Sequence, residues 1–395
     1  MLLYWIWFAE LKGLTLLQKH RLLELVGDPE TLYHMAESGL DRTEIPENTR
    51  QALLQRDMQP AETILRSCKQ KGIGILPIVD RAYPARLRNT PDAPIVLYYK
   101  GILPDWDKAP FIGIVGTRKA SAYGLQVARR MGNQIAACGG FVVSGGASGA
   151  DTAAMQGSLD AGVPVVGVLG CGVDVVYPRS NRRLFETTVN NGCLISEYPP
   201  GGEPLAWHFP ARNRIISGIS SGVLVVEAPL KSGSLITARF ALEQGRDVFV
   251  VPGNIDNPAC EGSNLLLQEG ATPVLSGWDV VSSYEFLYPG KLKKQLAPTN
   301  KPSVEPETTA DKTETARKNP IDNGPISTYS VLENTQPALS QEEQAVYKLL
   351  TSQPQEPAEL IAKLSLPAGK VLSVLTMLTV KGVVRKHPGG RVSLK

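Results

Sequence analysis

Gly116, Thr117 and Arg118 close the apolar run FIGIVG, and Ser121 and a stretch of helical character follow within a few residues. These residue types handle anions at the carboxyl end of a strand: glycine brings backbone amides close, a hydroxyl adds a donor and a guanidinium neutralises charge. The pattern recurs at SGGASGAD, which runs from Ser144 through Gly145 and Gly149 to Asp151. It appears again in GCGVDVVYPRSNRR, with Arg179 and Asn181, and in PLKSGSLIT, with Gly233 and Ser234. One such loop could owe its glycines to a tight turn alone, whereas four on one sheet edge concentrate amides there. Arg118, Lys119, Arg179, Arg182, Arg183, Arg212, Arg214 and Lys231 lie in or beside these loops and are expected on one rim. Cations spaced along a crevice suit a string of phosphates better than a single nucleotide.

The stretch AWHFPARNRIISG sets Trp207, His208 and Phe209 beside Arg212, Asn213 and Arg214. Two readings stand: aromatics that stack bases while the arginines pair phosphates, or Trp207 and Phe209 plugging a core while the arginines cap the next helix. SGGASGAD is not G-x-G-x-x-G, and no acidic residue ends the second apolar run to hold a ribose, which argues against a dinucleotide. No G-x-x-x-x-G-K-[ST] pattern occurs, which argues against ATP hydrolysis. His208 is one of four histidines and has no spaced partner, so neither a metal site nor a Ser-His-Asp or Cys-His arrangement is expected. Asp151 reads as a helix cap, and Asp174 and Glu197 as partners of nearby arginines, rather than as general acids. No catalytic residue, metal or cofactor is expected.

The elements that position these loops follow from the hydrophobic rhythm. The runs 111–116, 141–144, 164–170, 193–196, 222–227 and 247–251 are short, continuous and apolar, and stretches of helical length separate most of them. This alternation predicts an α/β fold, an extended Rossmann-like, mostly parallel sheet covered on both faces. From Trp5 to about Gln70 the spacing is helical, with Gly27 as a stop and Pro29 as an early helix residue. This front unit is read as all-helical, of the SAM or helix-hairpin-helix kind. The proline-rich stretch 74–101 reads as a sheet edge or connector. After about Leu287 the composition turns to Lys, Pro, Thr, Glu and Asn, too apolar-poor to order itself, and the last residues recover three helical segments and two β-rich runs around Gly389-Gly390, a winged-helix pattern. The expected divisions are 1–72, 73–287, a linker 288–338, and 339–395. The formal charge of +3, from 41 basic and 38 acidic side chains, is too small to indicate a partner by itself. Five scattered cysteines fit neither a disulfide framework nor a zinc site and suit a reducing cytoplasm. MLLYWIWFAELKG lacks a basic n-region and is cut short by Glu10, so it reads as a core helix, and no membrane association is expected.

Taken in order, GTRKASAYG, SGGASGAD, LGCGVDVVYPRSNRRLF, ISEYPPG, WHFPARNRIISG, VVEAPLKSGSLITARFALEQGRDVFVVPGNI and EGSNLLLQEGA resemble the DprA/Smf family of DNA-processing proteins. The resemblance extends over nearly the whole chain. It implies a non-catalytic, cytoplasmic, dimeric single-stranded-DNA binder. Such a protein protects incoming strands in natural transformation, opens strands coated by single-strand-binding protein and loads the RecA recombinase. It also implies DNA contacts at Gly116, Thr117, Arg118 and Ser121, at Ser144, Gly145 and Gly149, at Arg179 and Asn181, at Arg212, Asn213 and Arg214, and at Gly233 and Ser234. Two departures stand out: Met155 where the family usually has histidine, and Gly13 alone where a front-domain glycine-x-glycine hairpin is common. The alternative is a Rossmann-fold nucleotide hydrolase of the phosphoribohydrolase type with Glu227 or Asp151 as acid, though the chain lacks the P-G-G-x-G-T-x-x-E signature. A pure interaction scaffold is a third reading.

Overall fold

The six apolar runs are too short for helices and too continuous for a half-exposed sheet, and each forms a strand inside the protein. They are β3 (Phe111–Val115), β4 (Phe141–Ser144), β5 (Val165–Val168), β6 (Cys193–Ser196), β7 (Gly222–Val225) and β8 (Asp247–Val250). In this computed structural model they pair in parallel in the order β6-β5-β4-β3-β7-β8. The structure describes residues 1–35, 46–295 and 341–394, apart from 352, 354, 365, 367, 381, 382 and 387–390 within the last stretch. Burial on both faces explains the Val and Ile content of these strands, because a sheet between two helical layers has no solvent side for polar residues.

The proline-rich stretch supplies the sheet edge. β1 (Gly74–Pro77) pairs antiparallel with β2 (Val96–Gly101), and β2 pairs antiparallel with β6. A two-residue β9 (Thr272–Pro273) completes nine strands at the other side. The chain enters the parallel sheet at β3, works outward to β6, then returns to start β7 on the opposite side of β3. The crossover directions therefore reverse between β3 and β7, where a crevice opens at the carboxyl ends of the strands. Ile112 stands opposite Gly222 and Val115 opposite Val225 in that pairing.

Two helices that cover one face, Ala122–Ala137 and Ala150–Asp160, pack at glycine contacts. A side chain at Gly132 would overlap the Ala154 carbonyl, and one at Gly157 would overlap the Arg129 carbonyl. The front helices are Leu2–Glu10, Leu16–Val26, Pro29–His34, Glu47–Leu54 and Gln59–Lys71, and the second and third are delimited by their own residues. Thr15 and Gln18 form a capping box, Gly27 at φ 98° stops the second helix, and Asp28 caps the third ahead of Pro29. Trp5, Ile6, Trp7 and Phe8 share one apolar core with Leu76 and Leu97 of the sheet. Residues 1–303 accordingly form one compact unit. The composition shift at 288 precedes the end of packing, since Tyr288 and Leu292 remain buried against that core.

A second unit, 304–395, has its own core of Val346, Leu360, Val371, Leu375 and Leu378. Helices Gln341–Tyr347, Pro357–Lys363 and Ala368–Val380 are followed by β10 (Val384–Lys386), antiparallel to β11 (Val392–Leu394), the order of a winged helix. The expected Gly389-Gly390 turn and residues 296–340, most of the expected linker, lie outside the described residues. Among the described residues no helix is long and apolar enough to cross a membrane.

Gly157→Ala should lower stability by about 1–3 kcal/mol through overpacking of the two glycine-contact helices. Urea unfolding of the full chain checks this; an unchanged midpoint would show that the helices separate without cost.

Candidate nucleic-acid interface

The loop after β3 is held at both ends by one residue after β7. The Thr117 amide donates to the Glu227 carbonyl at 2.7 Å. The Glu227 carboxylate accepts from the Ser121 amide at 2.9 Å and from the Ser121 hydroxyl at 2.6 Å. Ser121 Oγ in turn accepts from the Gly124 amide at 3.0 Å. Glu227 is 1% exposed, and a side chain at Gly116 or Gly124 would collide with its surroundings, which is why both positions are glycine. The N-terminus of helix Ala122–Ala137, where a dinucleotide-binding chain seats its pyrophosphate, is thus filled by the protein's own carboxylate. With both oxygens bound to Ser121, Glu227 is not presented as an acid to the crevice.

Arg118 and Lys119 stand exposed at the mouth. The Arg118 guanidinium lies 5.2 Å from the centre of the Phe209 ring, and Tyr177 packs on the same ring at 5.2 Å. Behind them a crevice of about 330 Å³ brings together Gly116, Thr117, Arg118, Arg212, Asn213, Gly233 and Ser234, with Lys231 at its lip. A narrower adjoining cleft contains Gly145 with Tyr177 and Phe209. Helix Gly233–Glu243 starts in this crevice, capped by Ser232, whose hydroxyl accepts from the Ser234 amide at 3.3 Å. Asn213 Nδ2 donates to the Gly233 carbonyl at 3.1 Å and so ties that helix start to helix His208–Ile219.

Other expected contact residues serve to hold this arrangement. Ser144 Oγ donates to the Ile114 carbonyl at 2.7 Å, inside the sheet. Gly149, at φ 83°, lets the carbonyls of Thr117 and Arg118 press against its backbone. Asn181 Nδ2 donates to the Gly146 carbonyl at 2.9 Å and to Thr152 Oγ1 at 2.7 Å, clamping the 170–183 loop onto the second glycine loop. Arg179, in the short turn Arg179–Asn181, is exposed beyond the cleft.

Arg212 and Arg214 part company. Residues two apart on a helix point about 200° from each other, so the pair cannot share a rim. Arg212 is 3% exposed and donates to the carbonyls of Gly145, at 2.7 Å, and Val168. Arg214 does not line the crevice; it turns inward to the Glu197 carboxylate and to Asp92, 3.3 Å away, which corrects the expectation of a rim cation there. Trp207 is 66% exposed and so plugs no core, while Phe209 is half-buried. Asp174 pairs with Lys71 at 2.6 Å rather than with an arginine, because the front helix Gln59–Lys71 ends beside its loop.

The floor carries opposite charges that burial resists. Burial pushes the Asp151 carboxyl up to about 6 against the pull of Arg212 and the amides of Ala147 and Gly145. Burial lowers the Arg212 guanidinium to about 10, which leaves it charged at neutral pH.

The fold and crevice define an extended Rossmann-type α/β protein with an anion-suited switch-point site and no dinucleotide fingerprint. Residues 74–285 match the family model for DNA recombination-mediator protein A, and residues 332–390 match that for the DprA winged helix domain. The chain is 45% identical over 213 residues to the DNA processing protein DprA of Streptococcus pneumoniae, covering 53% of this chain and 73% of that protein. It is 35% identical over 338 residues to protein Smf of Synechocystis, covering 83% and 81% respectively. The X-ray structure of DprA from Streptococcus pneumoniae superposes with a TM-score of 0.62 at 37% identity, covering 71% of this chain and 98% of that one. The chain belongs to the DprA/Smf family of DNA-processing proteins.

A carboxyl raised above its unfolded value binds a proton in the native state that the unfolded chain has already released. Wild type should therefore lose stability relative to Asp151→Asn as pH rises from 4 to about 7, by on the order of 2 kcal/mol, and level off above that. Urea unfolding of both proteins between pH 4 and 8 measures this; parallel pH curves would refute the shifted carboxyl.

Proposed function

We propose that this chain is a single-stranded-DNA-binding recombination mediator whose switch-point crevice takes successive backbone phosphates. The observation that carries this reading is the exposed Arg118, stacked on Phe209 at the mouth of a glycine-lined crevice into which the start of helix Gly233–Glu243 opens. Amides and a helix N-terminus suit phosphate oxygens, and the half-buried Phe209 and exposed Tyr177 suit bases that are not stacked in a duplex. In this reading Gly116, Thr117, Arg118, Gly145, Asn213, Gly233 and Ser234 line the path and Arg179 extends it. Ser121, Ser144, Gly149, Asn181, Arg212 and Arg214 hold the lining in place.

Family membership supports the wider role: protecting incoming strands in natural transformation, acting on strands coated by single-strand-binding protein, and loading the RecA recombinase. The protein works in this reading as a cytoplasmic homodimer without a catalytic step. Segments 1–72, 73–287, 288–338 and 339–395 serve as front support, DNA-binding body, linker and an accessory winged helix.

Fluorescence anisotropy of labelled oligothymidine across a salt series tests the crevice. Arg118→Ala should weaken binding about 5- to 30-fold and reduce the salt slope by roughly 0.7, one single-strand phosphate contact. Unchanged affinity and slope would move the DNA elsewhere, and equal affinity of wild type for duplex would refute single-strand preference.

A further inference from the structure

Beside the phosphate crevice lies a second groove, of about 660 Å³, bordered by Tyr123, Pro252, Asn254, Asp256, Asn257 and Pro258. None of these residues is cationic. Asp256 places a carboxylate there instead, so the groove opposes phosphate while its neighbour attracts it. Tyr123 is 54% exposed and Ile255, next to the groove, is 87% exposed. Asn254 Oδ1 accepts from the Asp256 amide and Asn257 Oδ1 from the Ala259 amide, each at 3.0 Å. Their Nδ2 groups are left as the donors these side chains can extend to a ligand.

The groove is built firmly. Tyr123 is the second residue of helix Ala122–Ala137, whose start is anchored through Ser121 to Glu227. The facing wall is pinned by Asn264, which accepts from the Gly253 amide at 3.1 Å and donates to the Gly253 carbonyl at 3.2 Å. The stretch 116–123 serves both, supplying Gly116 to Lys119 to the crevice and Tyr123 to the groove. A ligand lying along that stretch meets cations and amides first, then an aromatic face with carboxamide donors.

We infer that this groove is a nucleobase subsite, in which Tyr123 stacks an unpaired base and Asn254 and Asn257 meet its edge, while the adjoining phosphates stay in the crevice. The inference rests on the single-strand reading above. A base has a flat face for the ring, acceptors for the amides and no charge to be repelled by Asp256, whereas a phosphate has the opposite character.

The experiment is anisotropy with the full-length protein, comparing wild type, Tyr123→Ala and Tyr123→Phe on oligothymidine and on an abasic oligomer of the same length. Tyr123→Ala should weaken oligothymidine binding about 5- to 100-fold without changing the salt slope, since no phosphate contact is lost. Tyr123→Phe should bind as wild type, and the abasic strand should not distinguish the three proteins. If wild type binds oligothymidine and Tyr123→Ala matches it, or if Tyr123→Ala weakens the abasic strand equally, the subsite is overturned while the crevice reading stands. If wild type binds no oligothymidine, both readings fall. A loss accompanied by a dimer-to-monomer shift in light scattering would make the groove an interface between copies and overturn the subsite.

Discussion

The buried carboxylate of Glu227 is the interaction on which the site depends. It leaves β7 and reaches across the switch point to the loop that leaves β3, accepting from the Ser121 amide and hydroxyl while its own carbonyl receives the Thr117 amide. Burying a carboxylate is costly unless hydrogen bonds replace its water, and the positive end of helix Ala122–Ala137 adds a favourable field. The consequence is geometric. Two strands that diverge in sequence are stitched together at their carboxyl ends, and Arg118 is carried on a short span between two fixed points. An anion arriving at this edge finds the first helix N-terminus already occupied and is directed to the neighbouring amides and cations.

A second constraint lies beneath the first. Arg212 and Asp151 sit together in the crevice floor, both removed from water, with Arg212 donating to the carbonyls of Gly145 and Val168. Their charges oppose each other, so the floor adds little net field, and the positive character of the crevice comes from Arg118, Lys119 and Lys231 at its mouth. This separation suits a polymer. A ligand held mainly at the rim can pass through, whereas a deep uncompensated cation would retain a small anion. Gly149 permits the contact between the first two loops, because any side chain there would meet the Thr117 and Arg118 carbonyls.

The front helices and the sheet share an apolar core, and the Lys71–Asp174 pair links the last front helix to the loop that carries Arg179. That loop is also clamped by Asn181 to the second glycine loop. The support for the rim therefore arrives from three directions: the sheet beneath, Glu227 across the switch point and the front helices behind. The winged helix has a separate core and folds around its own apolar residues.

The strands, the glycine loops at their carboxyl ends, the helical front unit and the winged-helix order were legible in the amino-acid sequence, because each is dictated by local chemistry: apolar runs of strand length, glycine where backbones touch, and Gly27 or Pro29 where a helix stops or starts. Side-chain direction was not. Arg212 and Arg214 read alike in ARNRIIS, yet about 200° of helical turn sends one to the crevice floor and the other to Glu197 and Asp92. Trp207, which the sequence leaves open between a base-stacking ring and a core plug, stands in solvent, and Glu227, which enters the sequence reading only as the acid of the alternative hydrolase, is tied to Ser121 once β7 lies beside β3. Local pattern determined which elements form and where glycine must lie; only tertiary structure decided which charges face the crevice, because that depends on contacts between residues 106 positions apart, as for Ser121 and Glu227.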